Sequence, residues 1–135
     1  MKKLFALFTF VLVLSPLAVA AEEGINEITA EEIIALKEEG KPFKLIDARG
    51  GEYFDGTVIE GAMHLSAEDV TAETLAEIAP NKEELVVFYC TNVDCPASLK
   101  SAAKAQEAGY ANVAKYKGGI EEWKEKGLPT ETLAN

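Results

Sequence analysis

Apolar residues recur along this chain in short unbroken runs, which alternate with amphipathic stretches closed by glycine or proline. Thr29-Ala30-Glu31-Glu32 has the form of a capping box. Ile33, Ile34 and Leu36 follow it before Gly40, which predicts a short amphipathic helix. Phe43 to Ile46 reads as a buried strand entering the polar loop Asp47-Ala48-Arg49-Gly50-Gly51. Ala62 to Leu65 is a weaker strand, and Thr71 to Ile78 is a helix closed by Pro80-Asn81. Leu85-Val86-Val87-Phe88-Tyr89 is the strongest strand signal, an unbroken apolar run with β-branched and aromatic residues, and it delivers the chain directly to Cys90. A helix is predicted from Pro96 to Ala108 with Gly109 as its cap, then a strand over Asn112 to Tyr116. A last helix carries Ile120 and Trp123 between Gly118-Gly119 and Gly127-Leu128-Pro129. Strands alternating with helices imply an α/β fold whose mainly parallel sheet is covered by helices on both faces.

The amino end departs from that pattern. Met1-Lys2-Lys3, the charge-free run Leu4 to Leu14, and the small residues Ala18-Val19-Ala20 follow the grammar of a secretory leader, so residues 1–20 are expected to be a signal peptide. The mature domain is then 21–135. The leader's apolar core is too short to favour a spanning helix, which leaves no stable membrane insertion after cleavage and a periplasmic or secreted location; an uncleaved N-terminal anchor is the alternative. Without Lys2 and Lys3 the chain carries eleven bases against twenty-three acids. That balance excludes a general nucleic-acid binder, which needs clustered Lys and Arg.

In an open parallel sheet, ligand sites lie beyond the carboxyl ends of the strands. Cys90 stands at such an end, with a helix beginning a few residues later. Backbone N–H groups of the loop Thr91, Asn92, Val93, Asp94, Cys95 and of the first turn of the helix that Pro96 opens, with Ala97 and Ser98, can converge on one sulfur and favour its thiolate. The site is expected to need neither metal nor organic cofactor. A buried, inert cysteine is the alternative.

Several segments in sequence order resemble single-domain rhodaneses. Leu45-Ile46-Asp47-Ala48-Arg49 is similar to the family's L-I-D-V-R segment. Tyr53-Phe54 through Ile59-Glu60-Gly61-Ala62 is similar to its E-Y-x-x-G-H-I-P-G-A stretch, and Val87-Phe88-Tyr89-Cys90 to its active-site strand. Ala108-Gly109-Tyr110-Ala111-Asn112-Val113 and Gly118-Gly119-Ile120-Glu121-Glu122-Trp123 are similar to its A-G-Y-x-N-V and G-G-I-x-x-W tail. The resemblance implies one rhodanese-like domain with a five-stranded sheet. It further implies a sulfurtransferase in which Cys90 takes sulfane sulfur from a donor such as thiosulfate and passes it to a thiol or cyanide. Its partners would be a small sulfur-donor anion or a protein thiol, and a monomer is expected. The loop after Cys90 is longer than the family's usual one and contains no Arg; it resembles a subgroup with a second loop cysteine. Thr57-Val58 and Glu60 replace the usual Gly-His and Pro.

Cys95 is thus a resolving or redox partner, a structural staple or a packing residue. Arg49, the one arginine, and Asp47 are read as a structural tie near the site, and His64 as structural. Lys100, Lys104 and Lys117 are solvated charges by default, with focusing of the field at the site mouth as the alternative. Two competing functions remain: an exported dithiol/disulfide oxidoreductase using Cys90 and Cys95, and a noncatalytic binding module. A cysteine phosphatase is set aside because residues 91–98 supply no guanidinium.

Overall fold

A computed structural model describes residues 25–134. The leader read over residues 1–20 lies outside the described residues. The chain forms β1 (Asn26–Glu27), α1 (Ala30–Glu38), β2 (Phe43–Asp47), β3 (Thr57–Ile59), β4 (Met63–His64), α2 (Ala72–Ile78), β5 (Leu85–Tyr89), α3 (Ala97–Glu107), β6 (Val113–Tyr116), α4 (Gly119–Glu125) and β7 (Thr130–Thr132). The Thr29 box is present in full: its hydroxyl accepts from Glu32 N, and Glu32 Oε2 accepts from Thr29 N at 2.8 Å. At the far end of α3, Gly109 takes φ +95°, so the helix ends where only a residue without Cβ turns without strain.

Five strands form one parallel sheet in the order β1-β6-β5-β2-β4. Four of them are the strands read from the sequence; the fifth is the two-residue β1, added at the edge beside β6. Successive side chains of β5 point to opposite faces, and this alternation sorts the core into two halves. Val87 and Tyr89 pack with Ala30 and Ile33 of α1 and Ile120 and Trp123 of α4. Val86 and Phe88 pack with Leu75 of α2 and Ala102 and Ala105 of α3. Both faces are therefore covered, which is why β5 reads as a continuous apolar run rather than an alternating one. Among the described residues no helix is long and apolar enough to cross a membrane.

A second, two-stranded antiparallel sheet joins β3 to β7, with Val58 opposite Glu131. It was not anticipated. From β2 the chain runs out to β4 at the sheet edge and returns to β5 on the other side of β2. Loops leaving β2 and β5 therefore part in opposite directions, and a crevice opens between their carboxyl ends.

Candidate active site

The crevice holds a cavity of about 550 Å³. Ala48 to Tyr53, the loop after β2, form one wall; Cys90, Cys95 and the first turns of α3 form another, and Ala67 and Glu68 lie beside them. Cys90 is 2% exposed. Its main chain is fixed from below by α4: Ile120 N donates to Cys90 O and Glu121 N to Thr91 O, both at 3.0 Å. Asn92 Nδ2 adds a bond to Glu121 Oε2 at 3.1 Å.

Gly119 makes that approach possible. It sits at φ +67°, and a Cβ there would lie 2.6 Å from the carbonyl oxygens of Cys90 and Thr91. Backbone handedness and backbone overlap both oppose any side chain at this point. Gly119→Ala is expected to cost about 2–4 kcal/mol, read from urea unfolding, and to displace the Cys90 loop. An unchanged unfolding midpoint would show that α4 does not anchor it. Sequence reading took Gly118-Gly119 as a helix start only; the doubled glycine between a strand and a helix was the available signal.

Cys90 and Cys95 are joined as a disulfide, with Cα atoms 6.1 Å apart. The loop Thr91 to Asp94 bulges between them. Its amides are not gathered on a sulfur. Asp94 N donates to Asn92 Oδ1 at 3.1 Å and Cys95 N to Asn92 O at 3.2 Å, so Asn92 closes the loop on itself. Among the described residues no backbone N–H donates to Cys90 Sγ, which corrects the expected amide cradle for this oxidised state: drawing Cys95 onto Cys90 spends those donors within the loop. The neighbour of Cys90 Sγ is Thr91 Oγ1 at 3.9 Å. Since a disulfide sulfur has no proton, the Thr91 hydroxyl is the donor of that contact. Pro96, in helical conformation, leads into α3, on which Ala97 faces the cavity and Ser98 is buried.

The structure brings Asp47 and Arg49 together beside the cavity, both buried. Arg49 Nη2 reaches Asp47 Oδ2 at 2.7 Å and Nε reaches both carboxylate oxygens at 3.1 Å. The remaining guanidinium edge donates to the carbonyls of Tyr53 and Thr57 and faces Asp55 at 3.6 Å. Burial pulls the Arg49 pKa down, but the Asp47 hydrogen bonds and charge, with Asp55, outweigh it and leave it above its ordinary value. Asp55 is held below the usual carboxylate range by the Thr57 amide and by Arg49. Burial, reinforced by the Asp47 charge, pushes the Tyr89 hydroxyl far above its ordinary pKa, so it stays neutral and accepts from Ile59 N at 3.0 Å. His64 Nε2 lies 2.7 Å from Arg49 O, and its ring stacks on Phe54 at 3.6 Å. These residues hold the cavity wall from behind.

Lys104 is half-buried and differs from a solvated charge, whereas Lys100 is exposed as read. Lys100 and Lys104 both line the cavity, and Lys104 Nζ donates to Ala67 O at 2.6 Å. Lys117 lines a separate recess of about 150 Å³ that also includes Cys95. The cavity wall formed by Gly50 to Tyr53 was not read from the sequence.

Residues 29–126 match the rhodanese-like domain family. No curated protein is similar enough to this chain to count as a match. A solved protein from Bacillus halodurans has a TM-score of 0.72 at 22% identity, covering 82% of this chain and 80% of its own. Thiosulfate sulfurtransferase from Pseudomonas aeruginosa has a TM-score of 0.64 at 24% identity; the match covers 83% of this chain and 21% of that one. A Rhodopseudomonas palustris protein described as a possible tyrosine phosphatase has a TM-score of 0.60 at 24% identity, covering 82% and 88%. At these identities the likeness speaks for the fold alone. The family match spans both halves of the core and the loop that carries both cysteines, and on that ground the chain belongs to the rhodanese-like family.

Proposed function

We propose that this protein is an exported sulfurtransferase whose nucleophile is Cys90 in its reduced form. The observation that carries the reading is the position of Cys90: at the carboxyl end of the central strand, on a loop anchored by α4, and opening into a cavity large enough for a small sulfur donor. The Cys90 thiolate attacks the outer sulfur of a donor such as thiosulfate. The donor S–S bond breaks, sulfite leaves, and Cys90 becomes a persulfide. An acceptor thiolate or cyanide then takes the outer sulfur and restores the thiolate.

Cys95 supplies a competing outcome. Its thiolate attacks Cys90 Sγ, the bond to the outer sulfur breaks, and sulfide departs with both electrons; the product is the disulfide seen here. Lys100 and Lys104 at the cavity wall offset the repulsion that a strongly acidic chain exerts on a dianionic donor. An oxidising compartment, in keeping with the leader read over residues 1–20, favours the pairing.

Phosphoryl transfer is disfavoured. Its oxyanions need a guanidinium fork, and Arg49 spends its donors on Asp47, Tyr53 and Thr57. The disulfide favours a second reading, a dithiol/disulfide oxidoreductase; a reduction potential below about −300 mV would mark the bond as a staple and remove that reading.

Mass spectrometry tests the proposal. Reduced protein freed of reductant and mixed with thiosulfate is expected to gain one sulfur atom at Cys90, and Cys90→Ser is expected to gain none. Absence of loading in the native sequence and in Cys95→Ser, where discharge as sulfide is blocked, overturns the proposal. Equal loading of Cys90→Ser overturns it also.

A further inference from the structure

An external thiolate does not meet the two halves of the disulfide equally. Cys90 is 2% exposed, directly after a strand buried on both faces, and its carbonyl is pinned by α4. Cys95 is partly exposed and lines two recesses. One is the large cavity shared with Cys90; the other, of about 150 Å³, includes Asn92, Val93, Leu99 and Lys117 but not Cys90. Val93 and Leu99, 58% and 37% exposed, leave an apolar approach to that smaller recess. Its lining carries Lys115 and Lys117 against one carboxylate, Asp94, a balance that favours an incoming thiolate; Lys117 has no acidic partner within 4 Å among the described residues.

We propose that Cys95 is the sulfur at which external thiols enter, with Cys90 as the sulfur released. The proposal concerns the oxidised pair, goes beyond the sulfur transfer described above, and holds whether or not the reduced Cys90 takes up sulfane sulfur. In the first step a thiolate bonds to Cys95 Sγ and the Cys95–Cys90 bond breaks. The electron pair leaves on Cys90, whose thiolate then accepts a hydrogen bond from Thr91 or a proton from solvent. In the second step another thiolate attacks the external sulfur of the mixed disulfide. Cys95 leaves as a thiolate, the two reductant thiols depart as a disulfide, and two electrons have passed to the protein. Cys95 stands two residues before α3, whose amino end favours the thiolate released in that step. Thiol reduction is thus the class of reaction that must precede each round of sulfur uptake by a disulfide-locked Cys90.

The test locates the mixed disulfide. Purified oxidised protein is treated with excess reduced glutathione, quenched in acid, alkylated with N-ethylmaleimide and cleaved before Asp94, which puts the two cysteines on separate peptides. Glutathione is expected on the Cys95 peptide and the alkyl group on the Cys90 peptide, in about tenfold or greater excess over the reverse. Glutathione mainly on Cys90, or divided equally, overturns the proposal.

A parallel arm with a thioredoxin whose second active-site cysteine is serine is read in the same way. Capture on Cys95 there extends the reductant class from small thiols to protein thiols, and capture on Cys90 overturns the proposal. Sampling at increasing times guards against rearrangement after capture. Glutathione is expected on the Cys95 peptide from the earliest times. Glutathione appearing first on Cys90 and only later on Cys95 overturns the proposal.

Discussion

Cys90→Ser is expected to lower thiosulfate-to-cyanide sulfur transfer, measured as thiocyanate formed after prior reduction, by at least about 10³-fold. The serine side chain keeps the shape of the site but forms no persulfide, so the covalent intermediate is lost rather than slowed. Stability supplies the control. The disulfide closes a ring with a sequence separation of 5, and a loop that short contributes about 2 kcal/mol by chain entropy. Reduced native protein is therefore the proper reference, since comparison with the oxidised form would charge Cys90→Ser with the loss of the bond as well. Against that reference the unfolding free energy of Cys90→Ser is expected to change by less than about 1 kcal/mol. A variant that folds normally and keeps more than a tenth of the activity would move the chemistry to another residue.

The elements legible in the sequence are those whose own residues specify them. Leu85 to Tyr89 is apolar because both sheet faces are covered, and the Thr29 box satisfies its own amides within four residues. Three strands escaped reading, β1, β3 and β7, and two of them are specified elsewhere. β1 is two exposed residues held by pairing with Ala114 and Lys115, and β7 is exposed throughout and exists because β3 lies opposite. No local hydrophobic period marks either of them. The site divides the same way. Cys90 was readable as the first residue past a strong strand, whereas its support by Gly119, Ile120 and Glu121 joins positions some thirty residues apart. The expected gathering of amides concerns the reduced thiolate; in the oxidised pair the Asp94 and Cys95 amides donate to Asn92 instead.

Asp47→Ala is the substitution expected to damage the fold most among the residues flanking the site, by about 3–5 kcal/mol in urea unfolding at neutral pH. Asp47 is wholly buried and Arg49 is 4% exposed, so the pair is shielded from the solvent that makes surface ion pairs weak. Removing the carboxylate leaves a buried guanidinium with one remaining anionic partner, Asp55, which is 3.6 Å away and 57% exposed. It also strips the partner from the Arg49 amide, which donates to Asp47 Oδ1 at 3.0 Å. The effect reaches the cavity, because Arg49 holds the carbonyls of Tyr53 and Thr57, and Tyr53 lies on the cavity wall. Asp47→Asn keeps the shape and one acceptor oxygen and should fall between the two. Asp55→Ala, which removes only the exposed partner, is expected to cost less than about 1 kcal/mol. A cost below about 1 kcal/mol for Asp47→Ala would mean that Arg49 swings out to water, and the wall would then owe its shape to Phe54 and His64 instead.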